Sequence, residues 1–255
     1  MATIIDGKAI AAAVRADVAA DVAALKEKGI VPGLAVIIVG SDPASRVYVN
    51  NKKKACAEAG IYSEEFALPE DTTQDELLAL VESLNNRSDI NGILCQLPLP
   101  AHLEEKAVIE AISLRKDVDA FHAANVGHIM IGDYHFLPCT PAGVMELLRA
   151  AGVDPAGRRA VIVGRSNIVG KPMALLLLQA DATVTVCHSR TPDLADECRR
   201  ADILISAVGR RGLITADMIK PGAAVVDVAM NRDEDGKLCG DVDFAAACAV
   251  AAHIT

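Results

Sequence analysis

Short apolar runs that alternate with helical segments constrain the fold of this chain more than any other feature. Residues 33–39, 92–97, 160–163 and 203–207 are apolar almost throughout and do not alternate with polar residues. Strands of this composition are buried on both faces, which is typical of a mostly parallel sheet covered by helices. The sequence therefore predicts a fold of the α/β class.

The order of the segments predicts two α/β lobes. We expect strands at 33–39, 61–68, 92–97, 160–163, 183–187, 203–207 and 223–228, and helices at 7–28, 43–59, from Thr73, from about Pro141, from about Lys171 and at 194–199. Residues 117–134 interrupt this rhythm with charges, glycine and asparagine. The expected lobes are therefore residues 1–119 and 120–255, the second a doubly wound parallel sheet, with a cleft between the two.

The composition excludes several classes of protein. With 255 residues, 52% of them hydrophobic, the chain has enough apolar side chains to build a core. No apolar run approaches the ~20 residues that span a bilayer. Asp6 and Lys8 interrupt the first ten residues before the apolar part of a signal peptide develops. We therefore expect a cytoplasmic protein that has no membrane partner.

The charge and the cysteines narrow the choice of partners. A formal charge of −9 gives no field that attracts nucleic acid, so nucleic acid is not expected as a partner. The seven cysteines include no C-x-x-C pair, and Cys95 and Cys187 end apolar runs, which suits reduced thiols in a core. His122, His128 and His135 have no metal-ligand spacing. No metal site is expected.

A glycine turn follows the strand at 160–163. In GRSNIVGKP, Gly164 and Gly170 bracket a turn into a helix, where backbone N–H groups and a helix N-terminus can bind phosphate. The phosphate loop of kinases does not fit, because five residues separate the glycines and Pro172 replaces the metal-binding hydroxyl. The pattern G-x-G-x-x-G is not met either, since Ser166 takes the place of its second glycine. The turn alone leaves dinucleotide binding open.

The segment after the next strand favours NADP over NAD. NAD-binding folds commonly place an acidic residue there, whereas this chain has His188, Ser189, Arg190 and Thr191. An arginine and hydroxyl groups suit a 2′-phosphate, and Arg165 in the glycine turn adds a second cation. We therefore expect a Rossmann-like, NADP-binding second lobe. The alternative is that Arg190 is an ordinary surface charge and that Ser189 or Thr191 caps the following helix.

A basic segment, SRVYVNNKKKAC, lies in the helix at 43–59. Ser45, Tyr48 and Lys52 are three and four residues apart, so they share one face of that helix, while Lys53 and Lys54 point elsewhere. The segment CQLPLP places Gln96, Leu97 and Pro98 at the carboxyl end of a strand, where α/β sheets bind ligands. Taken singly, the first segment also suits a solvated basic face, and the second also suits a turn shaped by its prolines.

Long motifs give the chain a family resemblance. SRVYVNNKKKAC, NGILCQLPLP, KDVDAFH, PCTPAGV, VIVGRSNIVGKPM, TVCHSRT, ISAVG and GDVDF occur in this order. In these motifs the chain closely resembles the bifunctional methylenetetrahydrofolate dehydrogenase/cyclohydrolase family over essentially its whole length. The resemblance implies NADP-dependent oxidation of 5,10-methylenetetrahydrofolate to the methenyl cation and hydrolysis of that cation to 10-formyltetrahydrofolate. It also implies a homodimer formed through the nucleotide lobe.

The resemblance implies roles for particular residues. Lys52 is expected to be the key catalytic residue of the hydrolytic step and to be hydrogen-bonded to Gln96, Tyr48 to pack along the folate, and Asp119 to anchor the pterin. The expected substrate residues are Ser45, Tyr48, Leu97, Pro98 and Asp119, and the expected cofactor residues are Gly164, Arg165, Ser166, Gly170, His188, Ser189, Arg190, Thr191 and Met230. An ordinary lysine is protonated at neutral pH, so Lys52 can act as a base only where burial or a neighbouring cation favours the neutral amine.

The chain departs from the family pattern at a few positions. Ala120 and Ala229 stand where relatives usually have glycine, and Met230 stands where they have isoleucine. Relatives continue beyond the position of Thr255 with a P-V-P-G-G-V-G-P-M-T loop and a final helix. Two alternatives therefore accompany the bifunctional enzyme. One is a dehydrogenase that lacks the hydrolytic step, and the other is a catalytically silent NADP-binding protein if the chain ends at Thr255.

Overall fold

The computed structural model describes residues 1–255 and divides into two compact units. The amino-terminal unit comprises residues 11–128 and 133–137, and the carboxy-terminal unit comprises residues 1–10, 129–132 and 138–255. The first ten residues therefore group with the second half of the chain, which the predicted division into 1–119 and 120–255 did not anticipate. No helix is long and apolar enough to cross a membrane.

Nine helices and eleven strands alternate along the chain. The helices are α1 (Gly7–Glu27), α2 (Pro43–Ala59), α3 (Gln74–Asn85), α4 (Glu105–Ala111), α5 (Ala123–Ile131), α6 (Cys139–Ala150), α7 (Gly170–Gln179), α8 (Leu194–Arg199) and α9 (Phe244–Ala247). The strands are β1 (Thr3–Ile4), β2 (Gly33–Val39), β3 (Tyr62–Leu68), β4 (Gly92–Cys95), β5 (Arg159–Val163), β6 (Thr183–Cys187), β7 (Ile203–Ser206), β8 (Ala224–Asp227), β9 (Asn231–Arg232), β10 (Leu238–Cys239) and β11 (His253–Ile254). The predicted alternation of strands and helices is confirmed.

The amino-terminal unit contains a three-stranded parallel sheet in the order β3-β2-β4. Its central strand β2 is buried on both faces, because Ala35, Ile37 and Val39 belong to one apolar cluster while Val36 and Ile38 belong to another. A continuously apolar run was the signal that predicted this arrangement. Helix α3 begins as predicted at Thr73, in a capping box with Glu76.

The carboxy-terminal unit contains a six-stranded parallel sheet in the order β1-β11-β8-β7-β5-β6. The register places Val163, Cys187, Ser206 and Asp227 side by side at the ends of their strands. The loops that follow these four residues therefore lie along one edge of the sheet. The chain runs from β5 outward to β6 and then crosses to β7, so a topological switch point lies between β5 and β7.

Helix α5 was not anticipated from the sequence. It lies in the segment 117–134, whose glycine and asparagine residues are typical of turns. Asn125 is instead buried, and its side-chain amide donates to the carbonyl of Leu114 at 3.1 Å and to the carboxylate of Asp117 at 2.8 Å. These contacts with residues that precede the helix explain why a turn-forming residue lies inside it.

Candidate active site

Helix α2 is the element that positions the basic segment. Asp42 caps its first turn by accepting a hydrogen bond from the Ser45 amide at 2.7 Å, and Pro43 occupies the first turn. Gly60 ends the helix in the left-handed conformation, at φ 78°. The hydroxyl of Ser45 also bonds to Asp42, and together these bonds hold the pKa of the Asp42 carboxyl below its ordinary value. Ser45 therefore supports the helix start from a buried position.

Lys52 and Gln96 meet within the amino-terminal unit. The Lys52 amine donates to Gln96 Oε1 at 3.0 Å. Gln96 follows β4, where its own amide donates to the carbonyl of Ile37 at 2.8 Å, and its Nε2 donates to the carbonyl of Leu97 at 2.7 Å. Because Nε2 is bound in this way, Oε1 faces the lysine. Tyr48 lies one turn before Lys52 on α2 and is exposed, and the Leu97–Pro98 peptide is cis.

The other cations of α2 are paired with glutamates. Lys53 donates to Glu65 at 2.7 Å, and Arg46 donates to the same carboxylate. These hydrogen bonds hold the pKa of Glu65 below its ordinary value. Lys54 is exposed and lies 3.9 Å from Glu58. The sequence predicts that Lys53 and Lys54 point away from Lys52, and both instead have glutamate partners.

Asp119 places an unpaired carboxylate beside Lys52. It is mostly buried, and no hydrogen-bond donor of the chain reaches its side chain. Burial raises the pKa of Asp119 to about 6, against the opposing charge of Lys52 and with a smaller contribution from Asp117. A carboxylate with no partner in the chain can accept hydrogen bonds from a ligand that has adjacent N–H groups.

The turn that carries Asp119 is fixed by its neighbours. The Ile93 amide of β4 donates to the carbonyl of Lys116 at 2.7 Å, which lays this segment beside the strand. Asp117 is buried and accepts hydrogen bonds from the His122 amide at 2.9 Å and from the side chain of Asn125. Ala120 adopts φ 54°, a left-handed conformation that favours glycine.

The glycine turn after β5 depends on both of its glycines. Gly164 has φ 128°, and a Cβ there would lie 2.5 Å from the carbonyl oxygen of Ala207. A Cβ on Gly170 would lie 2.3 Å from the carbonyl oxygen of Gly164. Ser166 replaces the expected second glycine for a structural reason, because its hydroxyl accepts hydrogen bonds from the Val169 and Gly170 amides at 3.1 and 3.2 Å.

The residues of this turn fit a dinucleotide phosphate. Residues 165–168 are exposed, and their backbone amides donate to no acceptor within the chain. They precede the N-terminus of α7 at the carboxyl edge of β5, next to the switch point. Unpaired amides at a helix N-terminus are suited to phosphate oxygens, so the turn can hold the pyrophosphate of NADP.

The segment after β6 forms an ordered turn that leaves its arginine accessible. The His188 amide donates to the Thr191 hydroxyl at 2.9 Å, and the Thr191 amide donates to the His188 carbonyl at 2.8 Å. Helix α8 is capped by Asp193, which accepts from the Asp196 amide at 2.9 Å, so the alternative that Ser189 or Thr191 caps it is wrong. Arg190 and Arg165 are exposed and form no ion pair within the chain.

Ala229 and Met230 follow β8, at the same edge of the six-stranded sheet. Ala229 does not adopt positive φ, so an alanine at this position carries no backbone strain. Met230 is 59% exposed. None of the seven cysteines forms a disulfide, and Cys95 and Cys187 are buried at strand ends as predicted. No group of three histidine, cysteine, aspartate or glutamate side chains is arranged to hold a metal ion.

The carboxy-terminal sheet has the switch point and the phosphate-binding turn of a dinucleotide-binding domain, and the amino-terminal unit holds a separate lysine site. Residues 5–119 match the family model described as tetrahydrofolate dehydrogenase/cyclohydrolase, catalytic domain, and residues 138–255 match the NAD(P)-binding domain of the same family. The chain belongs to the tetrahydrofolate dehydrogenase/cyclohydrolase family.

Individual relatives agree with this assignment. The bifunctional protein FolD of Moorella thermoacetica is 61% identical over 254 residues, which cover 100% of this chain and 91% of the relative. The crystal structure of the FolD enzyme of Campylobacter jejuni is 49% identical with a TM-score of 0.97, covering 100% of this chain and 91% of that one. The FolD structure of Trypanosoma brucei, complexed with NADP and an inhibitor, is 42% identical with a TM-score of 0.94, covering 100% and 90%.

Proposed function

We propose that the chain oxidises 5,10-methylenetetrahydrofolate to the 5,10-methenyl cation with NADP and hydrolyses the cation to 10-formyltetrahydrofolate. Residues 1–119 bind the folate, and residues 120–255 bind NADP. The observation that carries the proposal is the 3.0 Å hydrogen bond between Lys52 and Gln96 beside the unpaired carboxylate of Asp119. These are the groups expected of a site that anchors a pterin and moves a proton next to it.

The first step is an oxidation in which orientation matters most. NADP supplies the hydride acceptor, and loss of hydride leaves a cation on the folate without release of a proton. Asp119 accepts two hydrogen bonds from the amino-pyrimidine edge of the pterin, and Tyr48 packs along the folate. Leu97 and Pro98 form the adjoining wall. The chain therefore contributes position and no strong acid.

The second step adds water to the cationic carbon between N5 and N10. A carbon–oxygen bond forms, the bond from that carbon to N5 breaks, and the formyl group stays on N10. One proton of the water leaves, and the other ends on N5. Lys52 takes the departing proton, and Gln96 holds the amine in place without neutralising it.

Replacing Lys52 by methionine tests this assignment. Hydrolysis of methenyltetrahydrofolate, followed by loss of its absorbance, is expected to fall at least about a hundredfold, as for loss of a general base. Formation of NADPH from methylenetetrahydrofolate is expected to persist, because that step releases no proton. Lys54→Met is the matched control on the same helix, and both of its activities should equal those of the unaltered chain. Undiminished hydrolysis in Lys52→Met would remove Lys52 from the mechanism.

The preference for NADP is assigned to Arg190. Its guanidinium is exposed, and its segment contains no carboxylate that would repel a 2′-phosphate. A charge-assisted hydrogen bond contributes about 1.5–3 kcal/mol, so Arg190→Ala is expected to raise the KM for NADP by about ten- to hundredfold and to leave the KM for NAD unchanged. An equal effect on both cofactors would mean that Arg190 does not contact the 2′-phosphate.

The proposed enzyme is a cytoplasmic homodimer. Free cysteines throughout the chain suit a reducing compartment. Strand β6 lies at an edge of the six-stranded sheet, where Val186 is 37% exposed and the nearby Leu178 of α7 is 56% exposed. An edge strand with apolar neighbours suits pairing with a second copy. Val186→Lys is expected to yield monomers in analytical ultracentrifugation, and an unchanged dimer would place the interface elsewhere.

A further inference from the structure

Asp241 is a buried carboxylate at the centre of a hydrogen-bond network. It lies in the segment GDVDF after β10, and it has no exposed surface. Its Oδ2 accepts hydrogen bonds from the Ser206 hydroxyl at 2.8 Å and from the Val208 and Gly209 amides at 2.9 and 3.3 Å. Its Oδ1 accepts from the Arg210 amide at 2.6 Å. A fifth donor, from another loop, also reaches Oδ1.

That fifth donor is the side-chain amide of Asn231, at 3.0 Å. Asp241 therefore joins the loop after β7, residues 207–210, to the segment after β8. Each of the five groups that are hydrogen-bonded to the carboxylate is a donor. An ionised carboxylate accepts on both oxygens and donates on neither, so it is the side chain that satisfies all five contacts together.

The loop at 207–210 packs directly against the glycine turn. The Ala207 amide donates to the carbonyl of Val163 at 2.8 Å, and the carbonyl oxygen of Ala207 occupies the space into which a Cβ of Gly164 would project. The loop thus lies between β5 and β7, at the switch point where the phosphate-binding turn also lies. A shift of this loop would disturb the place that receives the dinucleotide.

Asp241 is itself held by contacts that do not involve this loop. Its carbonyl accepts from the Ile214 amide at 3.1 Å, and the next residue, Val242, donates to Asp227 Oδ2 at 2.7 Å. Gly240 fits because a Cβ there would lie 2.0 Å from Asp227 Oδ2. The backbone of Asp241 is therefore held in place independently of the loop, so its carboxylate can fix the conformation of residues 207–210.

We propose that Asp241 is a positioning residue for NADP, holding residues 207–210 and Asn231 in the conformation that accepts the cofactor. The inference rests on the proposed placement of NADP at this edge of the sheet. Without the carboxylate, the loop amides lose their common acceptor, and only a fraction of molecules keeps the binding conformation. The apparent Kd rises by the inverse of that fraction. A loop ordered in 1–10% of molecules corresponds to a rise of roughly ten- to hundredfold.

Asp241→Asn is the direct test. In either orientation of the new amide, its NH₂ group faces at least one backbone N–H that has lost its acceptor. We expect the Kd for NADP, measured by isothermal titration calorimetry, to rise about ten- to hundredfold, with kcat at saturating NADP within about threefold of the unaltered value. Asp243→Asn is the control from the same segment, since Asp243 caps α9 through the Ala246 amide and does not reach the loop. Its Kd should not change.

A milder variant keeps the proposal testable if Asp241→Asn does not fold. Ser206→Ala removes one of the five donors and is expected to raise the Kd for NADP about threefold. A general loss of structure would lower kcat and leave KM in place, whereas the positioning role raises KM and spares kcat. A folded Asp241→Asn protein with unchanged NADP affinity, or unchanged affinity in Ser206→Ala when the first variant is unfolded, overturns the proposal.

A companion variant separates this inference from the placement of the cofactor. Gly164→Ala would push a methyl group against Ala207, and it is expected to abolish NADP binding. If Gly164→Ala binds NADP normally, the placement of NADP at this edge is wrong. If Gly164→Ala does not bind and Asp241→Asn binds normally, the placement stands and only the role of Asp241 fails.

Discussion

Replacing Asp119 by asparagine should stabilise the protein at alkaline pH while weakening its site. The carboxyl is mostly buried, and its pKa rises from an ordinary value of 3.8 to about 6. A raised pKa means that the folded state favours the protonated form. The stability associated with that proton is complete below about pH 4 and is lost as the pH rises through about 6.

The size of the expected stability difference follows from the raised pKa of Asp119. About two pKa units correspond to about 3 kcal/mol, which is the cost of holding the ionised carboxylate in the fold at pH 8. Asparagine has nearly the same shape and stays neutral at every pH, so it resembles the protonated carboxyl. Asp119→Asn is therefore expected to be about 3 kcal/mol more stable than the unaltered chain at pH 8, and nearly equal to it at pH 4.

Urea unfolding of both proteins at pH 4, 6 and 8 measures this difference. Asp71→Asn, at an exposed position, is the control and should show no pH-dependent gain. The affinity of Asp119→Asn for tetrahydrofolate should fall at least about tenfold, because a charge-assisted hydrogen bond contributes about 1.5–3 kcal/mol. A stability difference that is the same at pH 4 and pH 8, or a loss of stability at pH 8, would refute the idea that the ionised Asp119 carboxylate destabilises the folded state.

Two further changes test the turn around Asp119. The Lys116 amine donates to three backbone carbonyls at the end of α3, at 2.6 to 3.1 Å. Lys116→Met should therefore lower the free energy of unfolding, measured in urea, by about 3 kcal/mol. An effect no larger than that of Lys106→Met, at an exposed position, would contradict this prediction. Ala120→Gly has opposing effects on stability. Relief of left-handed backbone strain stabilises the variant by about 1–2 kcal/mol. Loss of a buried methyl group destabilises it by about 0.8 kcal/mol, and the greater backbone entropy of unfolded glycine destabilises it by about 0.5–1 kcal/mol. The stability change should stay within about 1 kcal/mol of zero, and a change above about 2 kcal/mol would show that one effect dominates.

Local signals in the sequence were sufficient for the main elements. Helix α2 and the capping box at Thr73 depend on residues a few positions apart, and the buried strand β2 is apparent from its own composition. The meeting of Lys52 and Gln96 joins two segments 44 residues apart. The family resemblance implies this contact, whereas the rule that α/β sheets bind ligands at strand ends predicts only the position of Gln96.

Features that depend on several distant segments could not be predicted. The burial of Asp119 and its lack of partners arise from β4, α2 and the turn that follows Asp117, and no single stretch encodes them. Asp241 receives donors from three separate places, and its motif GDVDF gives no sign of them. Ser45 has the expected spacing for a substrate residue, yet its hydroxyl bonds to Asp42. Proximity along a helix face does not reveal which side chains serve the helix itself.

The pairing of β1 with β11 has a consequence for how the protein is made. Thr3 lies beside His253, about 250 positions further along the chain. A ribosome releases β1 long before β11 exists, so β1 stays unpaired until β11 has been synthesised. The glycine turn after β5 and helix α2, which carries Lys52, are synthesised earlier than β11 and can form before β1 is paired. Pairing of β1 therefore waits for the synthesis of β11, because β11 is its one neighbour in the sheet.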